Sequence, residues 1–120
     1  MLVTSGGVIE EDPDTSAVLT LAPDADAAEL AAAARHRGVV RITFAAMGDG
    51  RGFSMAWRLR SMGFAGRLRA AGPVIADQFA ALARVGFDEA ELPPGALARL
   101  PAGARLRAAG GYRARLLGTG

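Results

Sequence analysis

The sequence contains no cysteine and no lysine, and it carries one histidine, one tryptophan and one tyrosine in 120 residues. The first absence removes disulfides, thiolate metal sites and thiol catalysis together, and it fits a reducing compartment. The second removes the Gly-Lys-Ser/Thr end of a Walker-type nucleotide loop. With His36 alone, neither a Ser-His-Asp relay nor a structural zinc site has its residues, so no metal and no bound cofactor are expected. No apolar run reaches the roughly 18 residues of a membrane span, and no signal-peptide pattern is present. The expectation is a soluble, cytoplasmic protein that does not enter a membrane.

Charge is unevenly placed. All 14 basic residues are arginine, as a GC-rich coding background favours. Residues 1–29 hold seven acids and no base, whereas residues 30–120 hold the 14 arginines against five acids. A body of that sign attracts anions. The seven aromatic residues mostly fall at apolar helix or strand positions. They make no basic-aromatic stacking face, so nucleic acid is not an expected partner.

Hydrophobic periodicity divides the chain into alternating elements. Residues 1–15 read as a weakly structured start with a short strand at Thr4 or Val8. A strand follows at 16–23, then an alanine-rich helix with Asp24 as its cap, Asp26 and Glu29 in its first turn, and Arg35, His36 and Arg37 in its last. "VVRITFA" (39–45) is β-branched and apolar on both faces, the pattern of a central, covered strand. A helix is expected at 53–63, a strand at 66–72, a helix at 73–86 with an Ile75/Phe79/Leu82 stripe, and a strand at 88–92. Residues 93–103 read as a turn-rich connector, and 104–118 as a strand or hairpin. Met55, Trp57 and Met62 read as core, and the acids Asp88, Glu89 and Glu91 as a solvated rim. The order predicts one α/β domain over 1–120, of about four consecutive βα units with parallel strands. Its form is either half-barrel-like, as half a TIM barrel, or a small open sheet.

In such an architecture every β-to-α loop lies at the carboxyl edge of the sheet. "MGDGRGFS" (47–54) is one such loop and "AAGPVIADQ" (70–78) the next. Topology then brings Asp49, Gly50, Arg51, Gly52 and Ser54 toward Arg69, Asp77 and Gln78. Glycines permit close backbone approach, a helix N-terminus supplies N–H donors, and arginine adds a bidentate fork. That combination suits a small oxyanion or a phosphate. Two other readings stay open: Asp49 and Arg51 pairing with each other or with Asp77 to shape a tight turn, or a loop that docks a protein. Phe53 stands where a dinucleotide fingerprint requires glycine.

Residues 49–92 carry Asp49-Gly50-Arg51-Gly52-Phe53-Ser54, then Leu59-Arg60, Gly66-x-Leu68-Arg69-Ala70-x-Gly72, Asp77-Gln78 and Gly86-Phe87-Asp88. In that order they resemble the core of a small bacterial family of unknown function. Its genes lie beside those for sulfite reductase and phosphoadenylylsulfate reductase, and its members are labelled oxidoreductases involved in sulfite reduction. The family core then covers 39–92, and Tyr112 corresponds to a tyrosine near the family's end. Pro73 stands where the family often has Asp and Val85 where it often has Cys, so a role resting on that thiol does not carry over. The resemblance implies an accessory protein of assimilatory sulfite or sulfate reduction whose Gly-Arg loop binds a small oxyanion. The alternative is a docking or assembly subunit of sulfite reductase with no ligand site of its own. Either would work as a homodimer or hetero-complex. No catalytic motif accompanies the oxidoreductase label.

Overall fold

The computed structural model describes residues 2–9, 17–46, 48–73, 76–92, 103, 105 and 106. Met47, Ile75, Tyr112, the connector and nearly all of the expected final strand or hairpin lie outside the described residues.

Among the described residues six strands and three helices follow in order: β1 (Leu2–Thr4), β2 (Gly7–Ile9), β3 (Val18–Leu21), α1 (Ala27–Ala34), β4 (Val39–Thr43), α2 (Gly50–Ser61), β5 (Arg67–Ala71), a 3-10 turn (Ala76–Gln78), α3 (Phe79–Arg84) and β6 (Glu89–Glu91). The strands form one sheet in the order β2-β1-β6-β5-β4-β3. Strands β3 to β6 run parallel to one another, and β1 runs antiparallel to both β6 and β2. Parallel strands in a half barrel or a small open sheet are the expectation; the all-parallel arrangement and the half barrel are corrected to a mixed sheet with β2 and β3 at its ends. Within the expected weakly structured start, the short strand expected at Thr4 or Val8 is present at both positions, as β1 and β2. Val3 is fully buried opposite Ala90, and Thr4 closes the β1–β2 turn by accepting from Gly6 N–H at 3.0 Å. Three-residue strands are too short to leave an alternating pattern in the sequence.

Strand alternation gives the sheet two unlike faces. Leu21, Val40, Ile42, Phe44, Leu68, Ala70, Ala90 and Leu92 join Leu30 and Ala33 of α1, Met55, Ala56 and Leu59 of α2, and Phe79 and Leu82 of α3 in one buried cluster. All three helices thus cover the same face. The intervening residues Arg41, Arg67, Arg69, Glu89 and Glu91 point to the other.

Helix ends follow local chemistry. Asp26, not Asp24, caps α1 through a capping box, accepting from Glu29 N–H at 2.8 Å. That helix stops at Ala34, so His36 lies beyond it, with Nε2 donating to the Ala17 carbonyl at 3.0 Å. α2 and α3 end in the same motif. Phe64 N–H reaches Leu59 O and Gly63 N–H reaches Arg60 O, while Phe87 N–H reaches Leu82 O and Gly86 N–H reaches Ala83 O. Gly63 (φ 96°) and Gly86 (φ 109°) supply the left-handed residue that this ending requires. The expected helix over 73–86 begins as the 3-10 turn, and α3 itself has six residues. Among the described residues no helix is long and apolar enough to cross a membrane.

Candidate functional site

The stretch after β4 folds differently from a ligand-cradling loop. Helix α2 starts at Gly50, three residues earlier than expected, with Asp49 as its N-cap. The Asp49 carboxylate accepts from Arg51 N–H at 3.1 Å and from Ala45 N–H at 3.3 Å. The Arg51 guanidinium then grips the same carboxylate, Nε to Oδ1 at 3.0 Å and Nη2 to Oδ2 at 3.2 Å. These donors, Arg51's side chain foremost, hold the Asp49 carboxyl at about 2, below its ordinary 3.8, and Asp49 in turn raises Arg51. The glycines between them are helical. Gly52 is required by packing, because a Cβ there would sit 2.5 Å from Cε2 and Cζ of Phe44. Gly72 presses on the same residue from β5, where a Cβ would lie 2.6 Å from the Phe44 carbonyl oxygen, and its φ is 117°.

Two outcomes are expected from this corner. Gly52→Ala should destabilise by about 1–3 kcal/mol, although alanine normally gains about 1 kcal/mol over glycine within a helix. The Phe44 ring cannot swing aside, since it is wedged between Phe53 and Phe87 at centroid distances of 5.3 and 5.9 Å. Combining Gly52→Ala with Phe44→Leu should cost less than the two separate losses in urea unfolding.

The second outcome concerns pH. A carboxyl with a lowered folded pKa contributes stability that is complete above its unfolded value and lost as pH falls through its folded value. For Asp49 that window runs from about 3.8 down to about 2. Glu91, lowered chiefly by its hydrogen bonds from Arg41, acts with the same sign. The gap in urea midpoint between wild type and Asp49→Asn should therefore be constant near neutrality and close as pH falls through that window.

Of the residues expected at one rim, the structure gathers Asp49, Gly50, Arg51 and Gly52 at the start of α2 and places exposed Ser54 just after them. Asp77 and Gln78 lie in the 3-10 turn, with Asp77 exposed and Gln78 at the start of α3. Arg69 sits mid-strand on the face away from the helices. Its Nε donates to Glu89 Oε2 at 2.9 Å, and its Nη1 lies 3.8 Å from Glu91 Oε2. The two guanidinium groups thus have different carboxylate partners.

Three features went unread in the sequence. The first is an ionic lattice on the sheet, in which Arg67 and Arg69 hold Glu89 and Arg41 holds Glu91. Glu89 is buried and Asp88 binds Arg60, so the solvated acidic rim is corrected. Its signal was available: "RLR" and "EAE" each place like charges two apart, on one face of a strand. The second is Arg60, fully buried behind α2. The third is Trp57, which is 59% exposed, with Met62 at 47%. Of the three helix residues read as core, only Met55 is buried. Trp57 lines a surface groove of about 450 Å³ with Phe53, Ser54, Arg58 and Val85. Among the described residues no three His, Asp or Glu side chains converge as metal ligands.

A family model described as bacterial protein of unknown function (DUF934) matches residues 18–102. No curated protein and no solved structure matches the chain.

Proposed function

We propose, from the premise that the chain belongs to this bacterial family of unknown function, DUF934, that it is an accessory protein of assimilatory sulfite or sulfate reduction that works by docking to an enzyme of that pathway. The pathway rests on the resemblance of residues 49–92 to proteins encoded beside sulfite reductase. Docking rests on one observation: α2 turns a large aromatic, Trp57, to solvent in the wall of a groove, and Met62 at its C-cap is exposed as well. Exposed tryptophan flanked by arginine is the composition of binding hot spots. The test is sedimentation of the purified chain with the sulfite reductase of the same organism. Co-migration at micromolar concentration is expected, and independent migration of the two would remove this reading.

A second reading keeps the oxyanion. The Arg51 side chain is 59% exposed at the N-terminus of a twelve-residue helix, and that favours an anion. The Asp49 carboxylate already occupies the dipole and the guanidinium fork, and a ligand would have to displace it. Arg69, Asp77 and Gln78 belong to this reading only if a bound anion draws them together. Titration calorimetry with sulfite, sulfate and phosphate, wild type against Arg51→Ala, decides it. Heat that disappears in the variant supports the oxyanion, and no binding at millimolar concentration removes it.

A further inference from the structure

We infer that the groove between α2 and α3 receives an acidic peptide segment of a partner protein, with one bulky apolar side chain seated between Phe53, Trp57 and Val85. The inference rests on the docking reading and specifies its surface and the chemistry of its partner.

The groove has a firm floor. Phe53 is half-buried and stands edge-on against Phe44, which belongs to the core. Val85 is likewise half-buried against that core at the end of α3. Neither side chain can retreat without disturbing the sheet, so the seat is preorganised, which lowers the ordering cost of binding. Trp57 forms the exposed wall. At about 450 Å³ the groove has room for an anchoring side chain and its neighbours.

Charge selects the rest of the segment. Helices α2 and α3 together contain Arg51, Arg58, Arg60 and Arg84 and no acid. Arg60 is buried and Arg51 is held by Asp49, which leaves Arg58 in the groove and Arg84 beside Val85, both exposed. An anchor flanked by Asp or Glu meets complementary potential there. A second copy does not, because a two-fold arrangement over this surface would set arginine against arginine. Single-stranded nucleic acid needs successive exposed stacking platforms, and of the groove's two aromatics Phe53 is half-buried and only Trp57 is exposed.

The chain's single tryptophan lies in the groove, so its own fluorescence reports occupancy. The experiment selects a random twelve-residue displayed peptide library on the wild-type protein. Enriched peptides lacking tryptophan are then titrated against wild type, Arg58→Glu and Val85→Asp, each first checked for an unchanged melting curve. The expected result is a consensus of one Phe or Leu beside two or more acids, a shift in Trp57 emission on binding, and affinity at least about tenfold weaker in Arg58→Glu. Val85→Gln replaces Val85→Asp if the latter does not fold. No enrichment, no acidic bias, or equal affinity for the variants overturns the inference. So does a concentration-dependent dimer that Arg58→Glu abolishes, or the same Trp57 response to an oligonucleotide. Peptide binding without co-migration of sulfite reductase would keep the groove and remove the pathway. Co-migration unchanged in Arg58→Glu would keep docking and remove the groove.

Discussion

Arg60→Met is expected to destabilise the protein by about 3–5 kcal/mol, the cost of breaking a buried ion pair by removing one partner. The residue is fully buried on the last turn of α2. Its Nη1 donates to the carbonyls of Phe64 at 2.9 Å and Gly66 at 2.8 Å. Its Nε and Nη2 both reach the Gly86 carbonyl, at 3.1 and 2.6 Å, and Nη2 also reaches Asp88 Oδ2 at 2.9 Å. The guanidinium lies 5.4 Å from the centre of the Phe64 ring. One planar group thereby ties the endings of α2 and α3 together and fixes the chain entering β5 and β6. Asp88 extends the tie by accepting from Leu68 N–H at 2.9 Å. Methionine fills part of the volume but leaves three carbonyls and a carboxylate without this donor. Lysine restores the charge without the fork and should recover only part of the loss. Urea unfolding of wild type, Arg60→Met and Arg60→Lys checks this order, and a loss below about 1 kcal/mol for Arg60→Met would contradict it.

The parts of the fold visible in the sequence were those with local causes. β4 was readable from the β-branched Val39, Val40, Ile42 and Thr43, broken only by Arg41, and the ends of α2 and α3 from Gly63 and Gly86. Of the β1–β2 hairpin only a short strand at Thr4 or Val8 was readable, because each strand has three residues and its burial depends on β6, more than 80 positions away. The corner at 49–52 was legible only in part, for a related reason. "GDGRG" has the composition of a ligand loop, yet Asp49 supplies its own anion to the helix, and Gly52 answers the Phe44 ring. Nothing near residue 49 announces that ring's position. The burial of Arg60 leaves no local signal, since its acceptors, three carbonyls and the Asp88 carboxylate, lie 4 to 28 residues away. Arg69 lies on the expected strand, and the acids that hold it lie on β6.

Those acids give the second large effect. Glu89→Gln should cost about 3 kcal/mol, because it removes one charge from the centre of a half-buried lattice and leaves its partners in place. Glu89 is 2% exposed and receives Arg67 at 2.8 Å through both Nε and Nη2, together with Arg69 Nε at 2.9 Å. Register sets Arg41 directly beside Arg69, an arrangement that repels unless acids intervene. Glu91 restrains Arg41 bidentately at 2.9 and 3.0 Å but lies farther from Arg69. With Glu89 neutral, Arg67 and Arg69 each lose the carboxylate that binds them at 2.8 to 2.9 Å. Glu91→Gln should cost less than about 1 kcal/mol, since a third of that side chain is exposed and solvent screens its pair. Replacing Arg67, Arg69 and Glu89 together by Met, Leu and Leu should leave stability within about 1 kcal/mol of wild type, because no buried charge then lacks a partner. Urea unfolding of the three variants separates the explanations. A triple variant as unstable as Glu89→Gln would mean that the side chains matter for their shape, and Glu89→Gln indistinguishable from wild type would mean that the lattice is not held by charge.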